Sequence, residues 1–251
     1  MNNYTGIIIL AAGKGTRMKS DKAKVLHELC GKPIIEYVVE TAKEITSDHI
    51  CVVIGHQSEA VKSQLKNYHL NFAYQKKQLG TAHAVMCALP TIPNHLDHII
   101  IMCGDVPLIR KQTIHQLMQK HSEDKCTITL LAVNMNPPYG YGRIVVDEFG
   151  NVKQIIEEAD ASNEEKKITM VNSGLYCINQ EFIRYALNQI GCNNNQQEMY
   201  LTDIIEIAFK EKKKIGLIVS DCVEELIGVN QQDDLFRLNQ FIENRKSIAG
   251  I

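Results

Sequence analysis

No two of the eight cysteines in this 251-residue chain stand close enough to form a CxxC knuckle. A zinc site of that kind is excluded. Cys51 and Cys103 lie inside apolar runs, where a free cysteine behaves as a small hydrophobe. The set therefore reads as free thiols in a reducing, cytoplasmic setting. An excess of charge of either sign is lacking too. Lysine and arginine number 27 against 29 aspartates and glutamates, a formal net charge of −2. This balance offers no basic surface to a nucleic acid, so phosphates must be met by a local cluster of cations. Long hydrophobic runs are also missing. Gly6 to Ala12 is apolar, but it is too short to span a bilayer and has no basic leader. Neither a membrane role nor a signal peptide is expected.

Two common phosphate-binding fingerprints do not occur. The spacing GxxxxGK[ST] is absent, and Gly13 and Gly15 lack the third glycine of GxGxxG. A nicotinamide-dependent oxidoreductase is disfavoured on that ground. With no linker or repeat in view, residues 1–251 read as a single domain.

Hydrophobic residues make up 45% of the chain, enough for a buried core. The first half alternates strand and helix patterns. Ile7–Ala11, His49–Ile54, Phe72–Gln75 and Ile99–Cys103 read as strands, mostly continuous apolar runs. Helices are expected from Pro33, a residue suited to the first helical position, and over Ser58–Leu65, Thr81–Leu89 and Lys111–His121. Repeated strand, crossover and strand predicts a parallel sheet covered by helices on both faces. In the second half, Thr127–Val133, Gly142–Val146 and Met170–Cys177 read as strands. Gln180–Asn188, Leu201–Lys210 and Gln231–Asn244 read as helices, and Asn193–Gln197 as a loop. This half is expected to extend the same sheet and hold a second substrate.

Ligands of such sheets bind outside the carboxyl ends of the strands. Two candidates fall there. Gly13 to Lys24 carries two glycines, Arg17 and four lysines directly after a buried strand. Its backbone can curl around a phosphate, and Arg17 and Lys24 can neutralise a transferring phosphoryl group. A solvated turn is the plainer alternative. Asp105, after the apolar strand at Ile99–Cys103, can hold Mg²⁺ against a triphosphate, or can simply cap the following turn.

The stretch Leu10–Pro33, LAAGKGTRMKSDKAKVLHELCGKP, resembles the signature of sugar-1-phosphate nucleotidyltransferases. Within that family it is most similar to bacterial N-acetylglucosamine-1-phosphate uridyltransferase domains. Further matches in the same order are Gln78–Ala84, Gly104–Leu108, Tyr139–Ile144 and Ile156–Ala161, then Val171–Gly174, Glu198–Asp203 and Gly228–Asn230. The resemblance implies an α/β, Rossmann-like nucleotidyltransferase fold with a mixed, mostly parallel sheet. Residues 1–125 would form a nucleotide-binding half and residues 126–251 a sugar-binding half. UTP and N-acetylglucosamine 1-phosphate would be the substrates, and UDP-N-acetylglucosamine and pyrophosphate the products, with Mg²⁺ as cofactor. Leu10, Ala11, Ala12 and Gly13 would line the nucleotide, together with Cys103, Gly104 and Asp105. Gln75, Gly80 and Thr81 would read the uracil, and Arg17 and Lys24 would sit on the phosphates as catalytic residues. Gly142, Glu157, Asn172 and Asn230 would contact the sugar, and Asp105 and Asn230 would hold the metal. Without the resemblance, Gly142 could merely serve a turn and Asn230 cap the last helix.

The chain departs from the family pattern in two places. Ala159 stands where the family carries a lysine, and Cys103 where a tyrosine is frequent. The hexapeptide-repeat β-helix of the bifunctional relatives has no counterpart here, so acetyl transfer is not expected and the oligomeric state is open. The rival readings are a transferase for another sugar phosphate or nucleotide, and a non-catalytic nucleotide-sugar-binding module.

Overall fold

The computed structural model describes residues 4–249, and side chains through residue 245. Strand β1 (Thr5–Leu10) shows how the sequence builds it: Ile7, Ile8 and Ile9 are all fully buried. Successive strand residues point to opposite faces, so such a run needs cover on both sides. Ile7 and Ile9 join one apolar cluster, and Ile8 joins the other. Each of these side chains contributes roughly 1.5–3 kcal/mol by leaving water.

The remaining strands are β2 (Glu28–Leu29), β3 (Lys32–Pro33), β4 (Ile50–Ile54), β5 (Asn71–Tyr74), β6 (His98–Cys103), β7 (Ile128–Asn134), β8 (Arg143–Val146), β9 (Val152–Ile156), β10 (Met170–Asn179) and β11 (Ile215–Ser220). The helices are α1 (Ile34–Ile45), α2 (Ser58–Gln64), α3 (Thr81–Ala88), α4 (Lys111–Glu123), α5 (Gln180–Ala186), α6 (Asp203–Lys210) and α7 (Gln232–Ala249). Nine strands form one sheet whose main path runs β11-β7-β10-β6-β1-β4-β5, with β8 and β9 attached beside β10. The pairs among β6, β1, β4 and β5 are parallel, as is β7 with β11, whereas β10 runs antiparallel to both β6 and β7. The expected mixed, mostly parallel sheet is thus present. Buried residues of α1, α2, α4 and α7 fall in one apolar cluster and those of α3, α5 and α6 in the other, so helices cover both faces. No helix among the described residues is long and apolar enough to cross a membrane.

The second half inserts β10 directly beside β6, with Tyr176 opposite Ile101 and Ile178 opposite Ile99. The register of β10 against β7 shifts between Asn172 and Tyr176. This bulge is fastened locally. Ser173 Oγ donates to Leu131 O at 2.7 Å and accepts from Leu175 N at 3.2 Å, and Gly174 at its centre has φ +78°. Bulges of this kind re-aim side chains beside functional sites.

Some expectations need correction. Pro33 ends β3 and caps α1 from outside its first turn, with φ −54° and ψ 136°, so Ile34 is the first helical residue. Helix α6 begins at Asp203, because Leu201 and Thr202 form a turn bound to the start of α3: Leu201 N donates to Thr81 Oγ1 at 2.9 Å. The sequence patterns did not identify β9, β11 or the β2–β3 hairpin.

Candidate active site

Where β1 ends, the chain crosses the carboxyl ends of its neighbours. Ala11 N donates to Val53 O at 2.9 Å, and Gly104 N to Leu10 O at 2.9 Å. Residues 10–13 therefore form a shelf over β4 and β6. A Cβ added to Gly13 would meet nothing within 4 Å, which leaves that stretch of backbone open to a ligand. Gly15 is different. Its φ is +63°, and a Cβ would lie 2.6 Å from Lys24 Cβ, so the loop can pack on the stem of Lys24 only with glycine there.

Two cavities open from this shelf. The first, about 430 Å³, is lined by Leu10, Ala11, Ala12 and Gly13 with Lys24, Gln75, Gly80, Thr81, Cys103 and Asp105. The second, about 270 Å³, is lined by Gly142, Glu157, Asn172 and Asn230 and shares Leu10, Thr81, Cys103 and Asp105 with the first. The residues expected to meet a nucleotide and those expected to meet a sugar thus fall into two adjoining spaces with a common wall. Gly104 lies under that wall: a Cβ would sit 3.0 Å from Leu10 O and 3.0 Å from Ile35 Cδ1.

At the junction, Lys24 Nζ contacts Asp105 Oδ2 and donates to Asn230 Oδ1 at 3.2 Å. Arg17 Nη2 donates to the same Asn230 oxygen at 3.0 Å. Residues more than 200 positions apart therefore converge on one point, with two cationic heads facing a carboxylate and an amide oxygen. Asn230 does not cap α7 with its side chain; instead its backbone N–H donates to Asp234 Oδ2 at 2.8 Å. The segment bearing Asn230 is tied to that of Asp105 by Val229 N donating to Asp105 O at 2.8 Å. Tyr141 OH receives Gly228 N at 3.2 Å, and burial raises this phenol to about 12. Asp105 Oδ and Asn230 Oδ1 are oxygen donors converging on a spot that a cationic head already occupies. That is the hard-ligand set suited to Mg²⁺, which keeps its other positions for water and phosphate. No cluster of three or more His, Cys, Asp or Glu side chains arranged for a metal occurs among the described residues, so any metal here would rest on few protein ligands.

In the first cavity, Gln75 is buried and Gly80 takes φ +112°. A Cβ on Gly80 would lie 2.4 Å from Met199 O, so glycine is required for α3 to abut the segment at 198–202. Met199 N donates to Leu79 O at 2.7 Å and Ala82 N to Met199 O at 2.9 Å, closing the contact. In the second cavity, burial raises the carboxyl group of Glu157, and a hydrogen bond from Thr202 Oγ1 at 2.9 Å opposes that shift. Asn172 Oδ1 accepts from Gly174 N at 3.1 Å, which turns its amide N–H groups towards other partners. A Cβ on Gly142 would meet Ile155 Cγ2 at 2.8 Å and Glu157 Oε2 at 3.4 Å, so this glycine admits the carboxylate to the cavity. Burial raises the thiol of Cys103 to about 12, with Asp105 adding to the shift, so it stays a neutral thiol between the two spaces.

Sequence reasoning left out several lining residues. Gln78, Lys14, Thr16 and Glu198 border the first cavity, and Tyr141, Tyr176 and Thr202 the second. Gln78, Glu198, Tyr141 and Thr202 fall inside stretches already singled out, whereas Tyr176 gave no signal beyond its place in a buried strand.

Bacterial relatives match nearly the whole chain. The chain is 40% identical over 245 residues to the bifunctional protein GlmU of Desulfotalea psychrophila, covering 98% of this chain and 72% of that protein. It is 42% identical over 246 residues to the bifunctional protein GlmU of Caldicellulosiruptor saccharolyticus, covering 98% of this chain but only 53% of that one. The fold resembles a solved Bacillus anthracis chain named as a glucose-1-phosphate thymidylyltransferase, with a TM-score of 0.74 at 18% identity and 94% of each chain covered. The nucleotidyl transferase family matches residues 7–245. That match runs from within β1 into α7 and takes in both cavities and the wall between them, and the chain belongs to the nucleotidyl transferase family.

Proposed function

We propose that this chain transfers a uridylyl group from UTP to N-acetyl-α-D-glucosamine 1-phosphate, giving UDP-N-acetylglucosamine and pyrophosphate for cell-wall precursors in the cytoplasm. The observation that carries the reading is the pair of cavities joined along Leu10, Thr81, Cys103 and Asp105. Two substrates lying in them would meet beside Lys24, Arg17, Asp105 and Asn230. The residues up to about 125 supply the nucleotide side, and those from about 126 onward supply most of the sugar side.

The attacking oxygen belongs to a phosphate that is already an anion, so no general base is needed. Catalysis is then positioning and charge neutralisation. Leu10 to Gly13 present backbone to the nucleotide, and Gln75, Gly80 and Thr81 present polar groups to the base. Lys24 and Arg17 spread positive charge over the phosphates as negative charge shifts to the leaving pyrophosphate. Glu157 accepts sugar hydroxyls, Asn172 donates to the sugar, and Gly142 leaves room for the ring. Asp105 and Asn230 would hold Mg²⁺, which would supply further neutralisation of the triphosphate.

The deciding measurement is pyrophosphate release from UTP with and without N-acetylglucosamine 1-phosphate and Mg²⁺. Release that requires all three is expected. A clear preference for another sugar phosphate or another nucleoside triphosphate overturns the substrate assignment. Nucleotide-sugar binding without turnover would instead favour a non-catalytic module.

A further inference from the structure

Behind Gln75 stands His83, which lines neither cavity at the junction. Gln75 Nε2 donates to Gly80 O at 2.9 Å and lies 3.1 Å from His83 Nδ1. A carbonyl oxygen can only accept, so the face of the glutamine amide turned to Gly80 is its NH₂ group. His83 Nδ1 must then accept the second N–H, which places the imidazole proton on Nε2. That nitrogen faces Cys87 Sγ, 3.8 Å away and one turn along α3. Both N–H groups of Gln75 are thereby engaged within the protein, and Oε1 is the end of the amide left for a ligand.

This orientation has a consequence for the base. Uracil offers a donor at N3 and acceptors at O2 and O4, whereas cytosine offers an acceptor at N3 and a donor at N4. The N–H groups of Gly80 and Thr81 open α3, where a helix has no internal partners for them. A glutamine fixed with Oε1 forward, beside those donors, matches uracil and opposes cytosine. A freely flipping glutamine would serve both.

Resting on the uridylyl-transfer reading above, we propose that His83 is a positioning residue for base selection: its Nδ1 lone pair joins Gly80 O in locking the Gln75 amide in the orientation that accepts from uracil N3–H. A site that hydrogen-bonds its substrate rejects the mismatched analogue because buried polar groups are left unpaired, and a loose amide forfeits that rejection.

The test compares wild type with His83→Leu, which cannot accept a hydrogen bond, and with His83→Asn, whose Oδ1 can stand in for Nδ1. UDP and CDP binding are measured by calorimetry on the full chain, and kcat/KM for UTP and CTP by pyrophosphate release. The expected result is a UDP-over-CDP preference lowered by about tenfold in His83→Leu and largely restored in His83→Asn. The loss in kcat/KM for UTP should reside in KM. An unchanged ratio in His83→Leu overturns the proposal, as does an equal loss in both variants, which would mark a packing role. If wild type binds neither UDP nor CDP, the uridylyl reading falls first and this inference with it. Should His83→Leu fail to fold, ¹⁵N chemical shifts of His83 in the wild-type protein decide: a proton on Nε2 is expected, and one on Nδ1 overturns the proposal.

Discussion

The ammonium of Lys24 rests against the carboxylate of Asp105, 81 positions away in sequence, and each side chain is 17% exposed. A contact this sheltered keeps both charges out of bulk solvent and beside the phosphates of the proposed substrates. Lys24→Ala and Asp105→Ala should each lower turnover by on the order of 100-fold or more. Circular dichroism should report a folded protein in both cases, and chelation of Mg²⁺ should abolish pyrophosphate release without unfolding. Near-normal turnover in Asp105→Ala would remove its metal role.

Gly80 admits no side chain without displacing main chain, because φ is +112° and Met199 N and O lie within 2.6 Å of an added Cβ. Gly80→Ala should cost about 2 kcal/mol in stability, read from denaturant midpoints, and raise KM for UTP. An alanine variant as stable as wild type would show that the segment at 198–202 yields easily.

Glu225 is buried and receives Arg110 N at 2.9 Å and Arg110 Nε at 2.8 Å, while the arginine side chain is 49% exposed. Removing the arginine leaves a buried carboxylate short of partners just ahead of the segment that bears Asn230. Arg110→Ala should destabilise by on the order of 2 kcal/mol, less than for a fully buried pair because solvent reaches Arg110. Urea unfolding measures this, and the Mg²⁺ concentration for half-maximal turnover should rise in the same variant.

Burial raises the Asp203 carboxyl from 3.8 to about 6, with Glu206 and Asp160 adding to the shift. The folded state thus holds the proton more tightly than the unfolded state. That contribution to stability is full below about pH 4 and is lost as pH rises through about 6. Asp203→Asn lacks this loss, so its melting temperature should gain on wild type between pH 4 and 7. A constant difference across that range would show that Asp203 titrates normally.

What could be read from the sequence followed periodicity. The apolar run at 99–103 ending near Asp105 was visible because both faces of β6 are covered. Strand β11 escaped notice, since Gly216 interrupts it and four lysines between 210 and 214 lead into it. Strand β9 buries only Val152 and Ile155 of its five residues, so it shows no period-2 signal. The β2–β3 turn sets Cys30 at φ 50° and Gly31 at φ 77°, and cysteine is not a residue that announces such a turn. At the site, family resemblance named Gln75, but the His83 contact depends on how α3 sits against the end of β5 and has no spacing signature of its own.

The placement of β10 between β6 and β7 bears on how substrates are admitted. The strand that brings Asn172 is hydrogen-bonded beside the strand that leads to Asp105, so the two halves share a floor rather than a hinge. Swinging one half from the other would tear main-chain ladders out of a buried sheet. Adjustment to incoming ligands is therefore left to side chains and loops at the rim, over an unmoving base.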